Sequence, residues 1–248
     1  MLRRLIEYLT RRMDPDAQAQ LWRRLRRWRR PARLGTLRRW APLSDAWGFD
    51  RGTPIDRHYI ESFLETHATD IRGSVLEVRD SAYTRRFGRD VERAEVLDIR
   101  EDNPHATIIA DLSSADSVPG GQFDCFIITQ TLQMIYEAEA AVRQAQRLLR
   151  PGGVLLATVP VISRIIPRYG LDADFWRFTP ASCRRLFGDV FGADAVHVSS
   201  YGNALTAVAF VAGVACEELR SAELEASHPY FPVVLGVRAV KPMAASPE

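Results

Sequence analysis

His58, Asp172 and Asp174 are candidates for taking a proton from a hydroxyl group, imidazole and carboxylate being the usual general bases. A surface helix accounts for His58 more simply. Asp98 closes an apolar run, where a carboxylate either caps a turn or accepts from a ligand. Asp111 stands before Leu112-Ser113-Ser114 as a helix N-cap would, and the amide of Gln130 follows another apolar run, suited to orienting a ligand or to tying two loops together. The sequence has no His-Glu-x-x-His, no phosphate-binding Gly-x-x-x-x-Gly-Lys and no nucleophile elbow, so metalloprotease, nucleotide-triphosphate and serine-hydrolase chemistry have no support. Cys125, Cys183 and Cys216 are far apart and lack the paired spacing of a zinc or disulfide framework, so no metal is expected and a reducing cytoplasm fits.

The elements that must position these residues are legible as alternating patterns. Five apolar runs, starting at Ser74, Ala94, Ala106, Phe123 and Gly153, read as parallel strands buried on both faces. The segment from Asp56 to His67 has Ile60, Phe63 and Leu64 on one helical face, and that from Glu137 to Leu149 has Ala141, Ala145 and Leu148. The second of these helices is predicted to stop at Arg150-Pro151-Gly152-Gly153. Downstream, the pattern predicts a helix over Thr179–Phe187, a strand over Ala195–Ser199, a helix over Leu205–Leu219 and a last strand over Val233–Val240. Seven strands in this order predict an α/β fold, a doubly wound and mostly parallel Rossmann-like sheet with its ligand beyond the carboxyl ends of the first strands.

Two stretches carry a family resemblance. Gln122-Phe-Asp-Cys-Phe-Ile-Ile-Thr-Gln-Thr-Leu-Gln-Met-Ile-Tyr136 and Arg147-Leu-Leu-Arg-Pro-Gly-Gly-Val-Leu-Leu-Ala-Thr-Val-Pro160 resemble the fourth- and fifth-strand motifs of class I S-adenosylmethionine-dependent methyltransferases. Gly48-Phe-Asp-Arg-Gly-Thr-Pro-Ile-Asp-Arg-His-Tyr-Ile-Glu61 and Asp174-Phe-Trp-Arg-Phe-Thr-Pro180 resemble a bacterial, methyltransferase type 11-like subgroup often found beside or fused to glycosyltransferases. The similarity runs from about Trp47 to Pro242. It implies S-adenosylmethionine as cofactor, held by Glu77, Arg79 and Asp80 after the first strand, Asp98 on the ribose, Asp111 and Leu112 on the adenine, and Gln130 at the floor of the transfer site. In the family a glycine-rich turn follows the first strand, letting backbone N–H groups approach the methionine carboxylate. Here Arg79, Ser81 and Tyr83 stand in the places of the three glycines, so the motif is degenerate. Tyr169, Trp176 and Arg177 fall where the family builds its acceptor pocket, and aromatic and guanidinium groups suit a saccharide or another small hydroxylated acceptor. Packing of Trp176 against the helix that follows is the simpler alternative. His58 and Asp174 are the catalytic candidates under this reading.

Charge divides the chain. Residues Met1 to Trp40 hold thirteen arginines against Glu7, Asp14 and Asp16, a net +10, while the remainder carries −8. Leu2, Ile6, Leu9 and Met13, and then Leu21, Leu25 and Trp28, recur at helical spacing around Asp14-Pro15. The division expected is a helical arm and linker over 1–44 and a methyltransferase-like domain over 45–248. Such an arm suits an anionic membrane surface; it equally suits the acidic body or a protein partner, a glycosyltransferase among them. Nucleic acid ranks below these, since no base-reading motif accompanies the arginines. No apolar run is long enough to span a bilayer and no signal peptide is evident, so a cytoplasmic chain, or one peripheral at a membrane, is expected. A catalytically silent module that uses the sheet as a scaffold is the alternative to an enzyme.

Overall fold

The computed structural model describes residues 13–29, 31–32, 34–166 and 170–243. Leu2, Ile6 and Leu9 of the first expected arm helix, and Tyr169 of the expected acceptor pocket, lie outside them. The chain divides into two units, Met1–Ala41 and Pro42–Glu248.

In the first unit, Pro15–Arg29 forms a helix, α1. Its start follows from the sequence: Asp14 Oδ2 accepts from the Asp16 and Ala17 N–H groups, and Pro15 sits at the first helical position, where its missing N–H costs nothing. A short 3-10 turn follows at Gly35–Leu37.

In the second unit, seven strands form one sheet: β1 (Gly73–Val78), β2 (Val91–Asp98), β3 (Ile108–Ile109), β4 (Phe123–Thr129), β5 (Leu149–Pro160), β6 (Val196–Tyr201) and β7 (Val234–Val240). Their order is β3-β2-β1-β4-β5-β7-β6, with β7 antiparallel to both its neighbours and the rest parallel. This is the doubly wound arrangement that the alternating pattern predicts. Side chains along the central strands alternate between two cores: Phe126 and Ile128 of β4 join one, and Cys125 and Ile127 the other. The first core is covered by α4 (Ala138–Leu148) and α5 (Pro180–Phe191). The second is covered by α2 (Ile55–Thr66) and α6 (Ala204–Ala212). Each fully buried Phe or Leu on these faces contributes about 2 kcal/mol by leaving water. At Gly236 a Cβ would meet the Phe63 ring at 2.3 Å, so the missing side chain is what lets α2 pack closely on β7.

Several elements differ from the expected spans: β2 begins at Val91 instead of Ala94, and β5 at Leu149, which takes Arg150–Gly153 into the strand. β3 is a two-residue edge strand within the apolar run from Ala106 to Leu112, although Thr107 N and Ala110 N still donate to the backbone of β2 on either side of it. The helix expected to reach Leu219 ends at Ala212, because Gly213 adopts φ +76 and a Cβ there would meet Ser44 at 2.7 Å. Conversely, α5 extends to Phe191, started by Thr179, whose hydroxyl accepts from the Ser182 N–H while Ser182 Oγ accepts from the Thr179 N–H.

Candidate active site

The strand order reverses between β1 and β4, and the residues just past their carboxyl ends are therefore neighbours. Register aligns Glu77 with Val96 and Ile127, Thr129 with Thr158, and Asp98 with Ile109. Two residues further along, Arg79 stands level with Asp98 on one side and Thr129 on the other. Arg79 and Asp98 thus share one row of the sheet with Thr129 and Thr158, and Gln130 follows directly.

At the β1 tip the carboxylates of Glu77 and Asp80 and the backbone of Arg79 are engaged within the fold. Glu77 is buried, and its carboxylate accepts from Tyr83 N (3.1 Å), Thr84 N (2.8 Å) and Thr84 Oγ1 (2.6 Å). It therefore caps the short helix α3 (Ala82–Phe87). Burial pushes its pKa up, against those three hydrogen bonds, which favour the charged form. Asp80 Oδ1 accepts from Ala82 N at 2.8 Å. Arg79 takes φ +78, the left-handed conformation that a glycine would adopt cheaply, and its side chain is exposed. Its N–H donates to Leu97 O and its carbonyl accepts from Asn103 Nδ2 at 2.7 Å. Tyr83 turns inward: its ring is buried against Phe87, and its hydroxyl accepts from Arg57 Nη1 at 2.6 Å. Burial drives this phenol up to about 12.

Asp98, ending β2, accepts from Arg100 N through Oδ1 and from Asn103 Nδ2 through Oδ2. Asn103 therefore joins the β1 turn to the β2 tip, a link that sequence reasoning missed and that only its long-range contact reveals. Ile99, directly after Asp98, is an exposed apolar side chain. Asp111 is exposed, and its Oδ1 accepts from Ser113 N and Oγ at 2.8 Å, which makes it the cap of the turn Leu112–Ser114. Leu112 is buried in the core.

The β4 and β5 tips are built differently. Gln130 has φ +46, and its N–H donates to Thr158 O at 2.9 Å while its carbonyl accepts from Gln133 Nε2 at 2.8 Å. Three polar atoms here are buried without a partner: Gln130 Nε2, Gln133 Oε1 and Thr158 Oγ1. Gln133 is 3% exposed and Thr158 0%. Buried polar atoms are usually satisfied, so the three left over at these strand ends are open to an ordered water or a polar ligand. Neither Gln133 nor Thr158 has a sequence signal that sets it apart.

An aromatic shelf joins this cluster. The Phe175 and Trp176 N–H groups both donate to Gln133 O, at 2.8 and 3.2 Å. Trp176 stacks on Tyr136 and Phe175 meets the same ring edge-on. All three rings are open to solvent, at 62% for Tyr136, 44% for Phe175 and 40% for Trp176. Trp176 Nε1 donates to the Ile135 and Tyr136 carbonyls, which fixes its plane. Asp174 and Arg177 hold the shelf from behind. The Asp174 side chain is fully buried, forms a two-pronged ion pair with Arg177, and accepts from Ile166 N at 3.1 Å. The Arg177 hydrogen bond holds this carboxyl below the usual range. Arg177 also donates to the carbonyls of Ser163, Arg164 and Trp176. Both residues therefore position the loop, and the Asp174 lone pairs are engaged. Asp172 is exposed. His58 lies on α2, lining a groove of about 570 Å³ with Glu61, Glu65, Arg86 and Arg89, none of which follows a strand tip.

Residues 68–157 match the family model described as a methyltransferase domain, which spans β1 to the middle of β5. No curated protein sequence matches the chain. Among solved structures, the [4+2]-cyclase SpnF is similar at 13% identity and a TM-score of 0.51, with 78% of this chain and 85% of that one covered. A chain in the complex between the Haloferax volcanii Trm112 methyltransferase activator and the putative methyltransferase is similar at 15% identity and a TM-score of 0.51, covering 82% and 97%. These likenesses are of fold, and they place the strand order among proteins of several chemistries. The sequence match from β1 to the middle of β5 marks a methyltransferase domain in this chain, an enzyme domain whose cofactor is S-adenosylmethionine, and the solved structures share its fold.

Proposed function

We propose that the enzyme transfers the methyl group of S-adenosylmethionine to a hydroxyl oxygen of a saccharide or a similar small hydroxylated metabolite. The single observation that carries this reading is the shelf of Tyr136, Phe175 and Trp176 joined through Gln133 to the unsatisfied amide of Gln130. Flat open rings stack on the apolar faces of sugars, while buried amide and hydroxyl groups meet their hydroxyls.

The residues fit the cofactor. Arg79 keeps the left-handed backbone of the missing glycine with its side chain in solvent, and Tyr83 is withdrawn into the core. Asp98 retains lone pairs for a diol beside those used by Arg100 and Asn103, Ile99 offers an apolar face, and Gln130 Nε2 lacks an acceptor. When bound, S-adenosylmethionine supplies an electrophilic methyl group on a sulfonium. Attack on it is an in-line displacement, so orientation supplies most of the acceleration. Gln130, Gln133 and Thr158 would orient the acceptor hydroxyl, and the shelf would hold its ring. Asp174 serves this reading as a positioning residue, since its carboxylate is committed to Arg177 and Ile166 N. A glycosyltransferase acting on the same saccharide is the protein partner that the reading implies.

Calorimetric titration with S-adenosylmethionine and with its demethylated product tests the cofactor half. Radiolabelled methyl transfer to a panel of sugars and sugar nucleotides tests the acceptor half. The expected product is an alkali-stable methyl ether; an alkali-labile ester would point to a carboxylate acceptor. Binding that appears only in Arg79→Gly would instead favour a silent module, the reading that the substituted glycine positions support.

A further inference from the structure

Helix α1 has two distinct faces, and none of its residues is fully buried. Ala17, Leu21, Leu25 and Trp28 recur at steps of four and three residues and so form one stripe. Arg23, Arg26 and Arg27 lie on the opposite side, with Arg24 and Arg29 flanking the stripe. Leu21, Trp22 and Leu25 remain partly exposed, and Trp28 is 79% exposed. Among the described residues none of these five arginines has an ion pair. The same composition continues after the helix, where Trp40 is fully exposed and follows Arg38 and Arg39.

We infer that α1 is an interfacial helix that binds the surface of an anionic lipid bilayer, lying in its plane. Fifteen residues make a rod about 22 Å long. A nucleic acid would engage the arginines and leave the leucine and tryptophan stripe in water. A folded protein covering the stripe would leave the arginine face in solvent. An anionic membrane accepts both faces of the same rod: phosphate headgroups pair with the guanidinium groups, and the boundary of the acyl region takes Leu21, Leu25 and the indoles. Tryptophan suits that depth because one edge is apolar and the other donates a hydrogen bond. Arg24 and Arg29, beside the stripe, can bury their stems and keep their charges at headgroup level. No helix among the described residues is long and apolar enough to cross a membrane, so attachment through α1 is peripheral.

The test uses the full chain and sedimentation with large vesicles of phosphatidylcholine alone or mixed with phosphatidylglycerol. Binding to the mixed vesicles, its loss in high salt, and a blue shift of tryptophan emission on binding are expected. Replacing Arg23 and Arg27 by glutamine should lower the partition coefficient at least tenfold, given about fivefold for each cation. Leu21→Gln with Leu25→Gln should lower it by about tenfold or more with every charge retained. Three results would overturn the inference: no binding to the mixed vesicles, equal binding to phosphatidylcholine alone, or leucine variants that bind as the parent does. The last, with tight binding of RNA by parent and leucine variants alike, would assign the arm to a polyanion. Each variant is compared by its thermal melt and by titration with S-adenosylmethionine, so that a failure of the methyltransferase reading remains separate from a failure of this one.

Discussion

The two halves of the strand-tip row differ in how completely the fold uses their polar atoms. At the β1 and β2 tips, Glu77, Asp80, Asp98 and Asn103 form a closed network with backbone and neighbouring side chains. At the β4 and β5 tips, Gln130, Gln133 and Thr158 each keep one buried polar atom without a partner. Both halves contain a non-glycine residue in the left-handed region, Arg79 and Gln130, so backbone strain does not separate them. Satisfaction does. A closed network is already stabilised in the free protein, whereas unsatisfied buried atoms raise its free energy until a ligand supplies the missing bonds. The first half accordingly holds its shape without help, and the second is the half to which the proposed function assigns the acceptor.

The sharpest break of this comparison is Glu77→Ala. It removes the acceptor of three hydrogen bonds in a buried site, leaving Tyr83 N, Thr84 N and Thr84 Oγ1 unpaired. At 1–3 kcal/mol for each stranded donor, with partial relaxation, the expected loss of stability is about 4 kcal/mol. Urea denaturation measures it. A loss below about 1 kcal/mol would mean that the network is not what shapes this turn.

Next in size is Asp174→Asn, expected to cost about 2 kcal/mol because the Arg177 charge would lose its buried counter-ion while keeping its carbonyl partners. The same pair sets opposite responses to acid. The Asp174 pKa is depressed in the fold, so its stabilisation is present above the unfolded aspartate value and is lost as pH falls through the folded one. Glu77 is raised, so its contribution is fully present below the unfolded glutamate value and declines as pH rises through the folded one. Hydrogen exchange as pH falls below the ordinary aspartate value of 3.8 should therefore loosen the Ile166 amide, which donates to Asp174, before the amides of Tyr83 and Thr84. The reverse order would contradict the assignment.

Much of this arrangement was legible in the letters, and the division falls where physics would put it. Strands β1, β4 and β5 and the helix Ala138–Leu148 were readable because burial repeats along the chain with the period of the element. The cap at Asp111 was readable because it is local, Asp followed by Ser two residues later. The Asn103 bridge to Arg79 spans 24 positions, and the grouping of Gln130 and Gln133 with Thr158 needs β4 and β5 in register. Such contacts leave no periodic trace. The inward turn of Tyr83 is of the same kind: it follows from the Glu77 cap, which fixes where α3 begins and hence which face Tyr83 presents to the core.

Thr158→Val sharpens the comparison from the other side. The hydroxyl makes no hydrogen bond in the free protein, so replacing it with a methyl of similar shape should leave stability unchanged or raise it by up to about 1 kcal/mol. If the hydroxyl meets the acceptor, KM for the acceptor should rise about tenfold while affinity for S-adenosylmethionine stays the same. Equal loss of stability and of acceptor binding would place Thr158 with the structural half.

The smallest expected effect concerns the residue on which the two halves are most alike. Arg79 at φ +78 bears a left-handed penalty of about 1 kcal/mol, and glycine removes it while adding unfolded-chain entropy of similar size. Arg79→Gly should therefore change stability by no more than about 0.5 kcal/mol. Its effect on S-adenosylmethionine titration then reports the side chain alone. The guanidinium is exposed and its backbone is already held by Leu97 and Asn103, so the turn does not need glycine to keep its shape. Weaker binding in the glycine variant would mean that the guanidinium pairs with the methionine carboxylate, which adds a ligand contact to the half that the free protein completes by itself. Stronger binding would mean that the arginine sterically guards the entrance. An unchanged constant would leave backbone geometry as all that this position contributes.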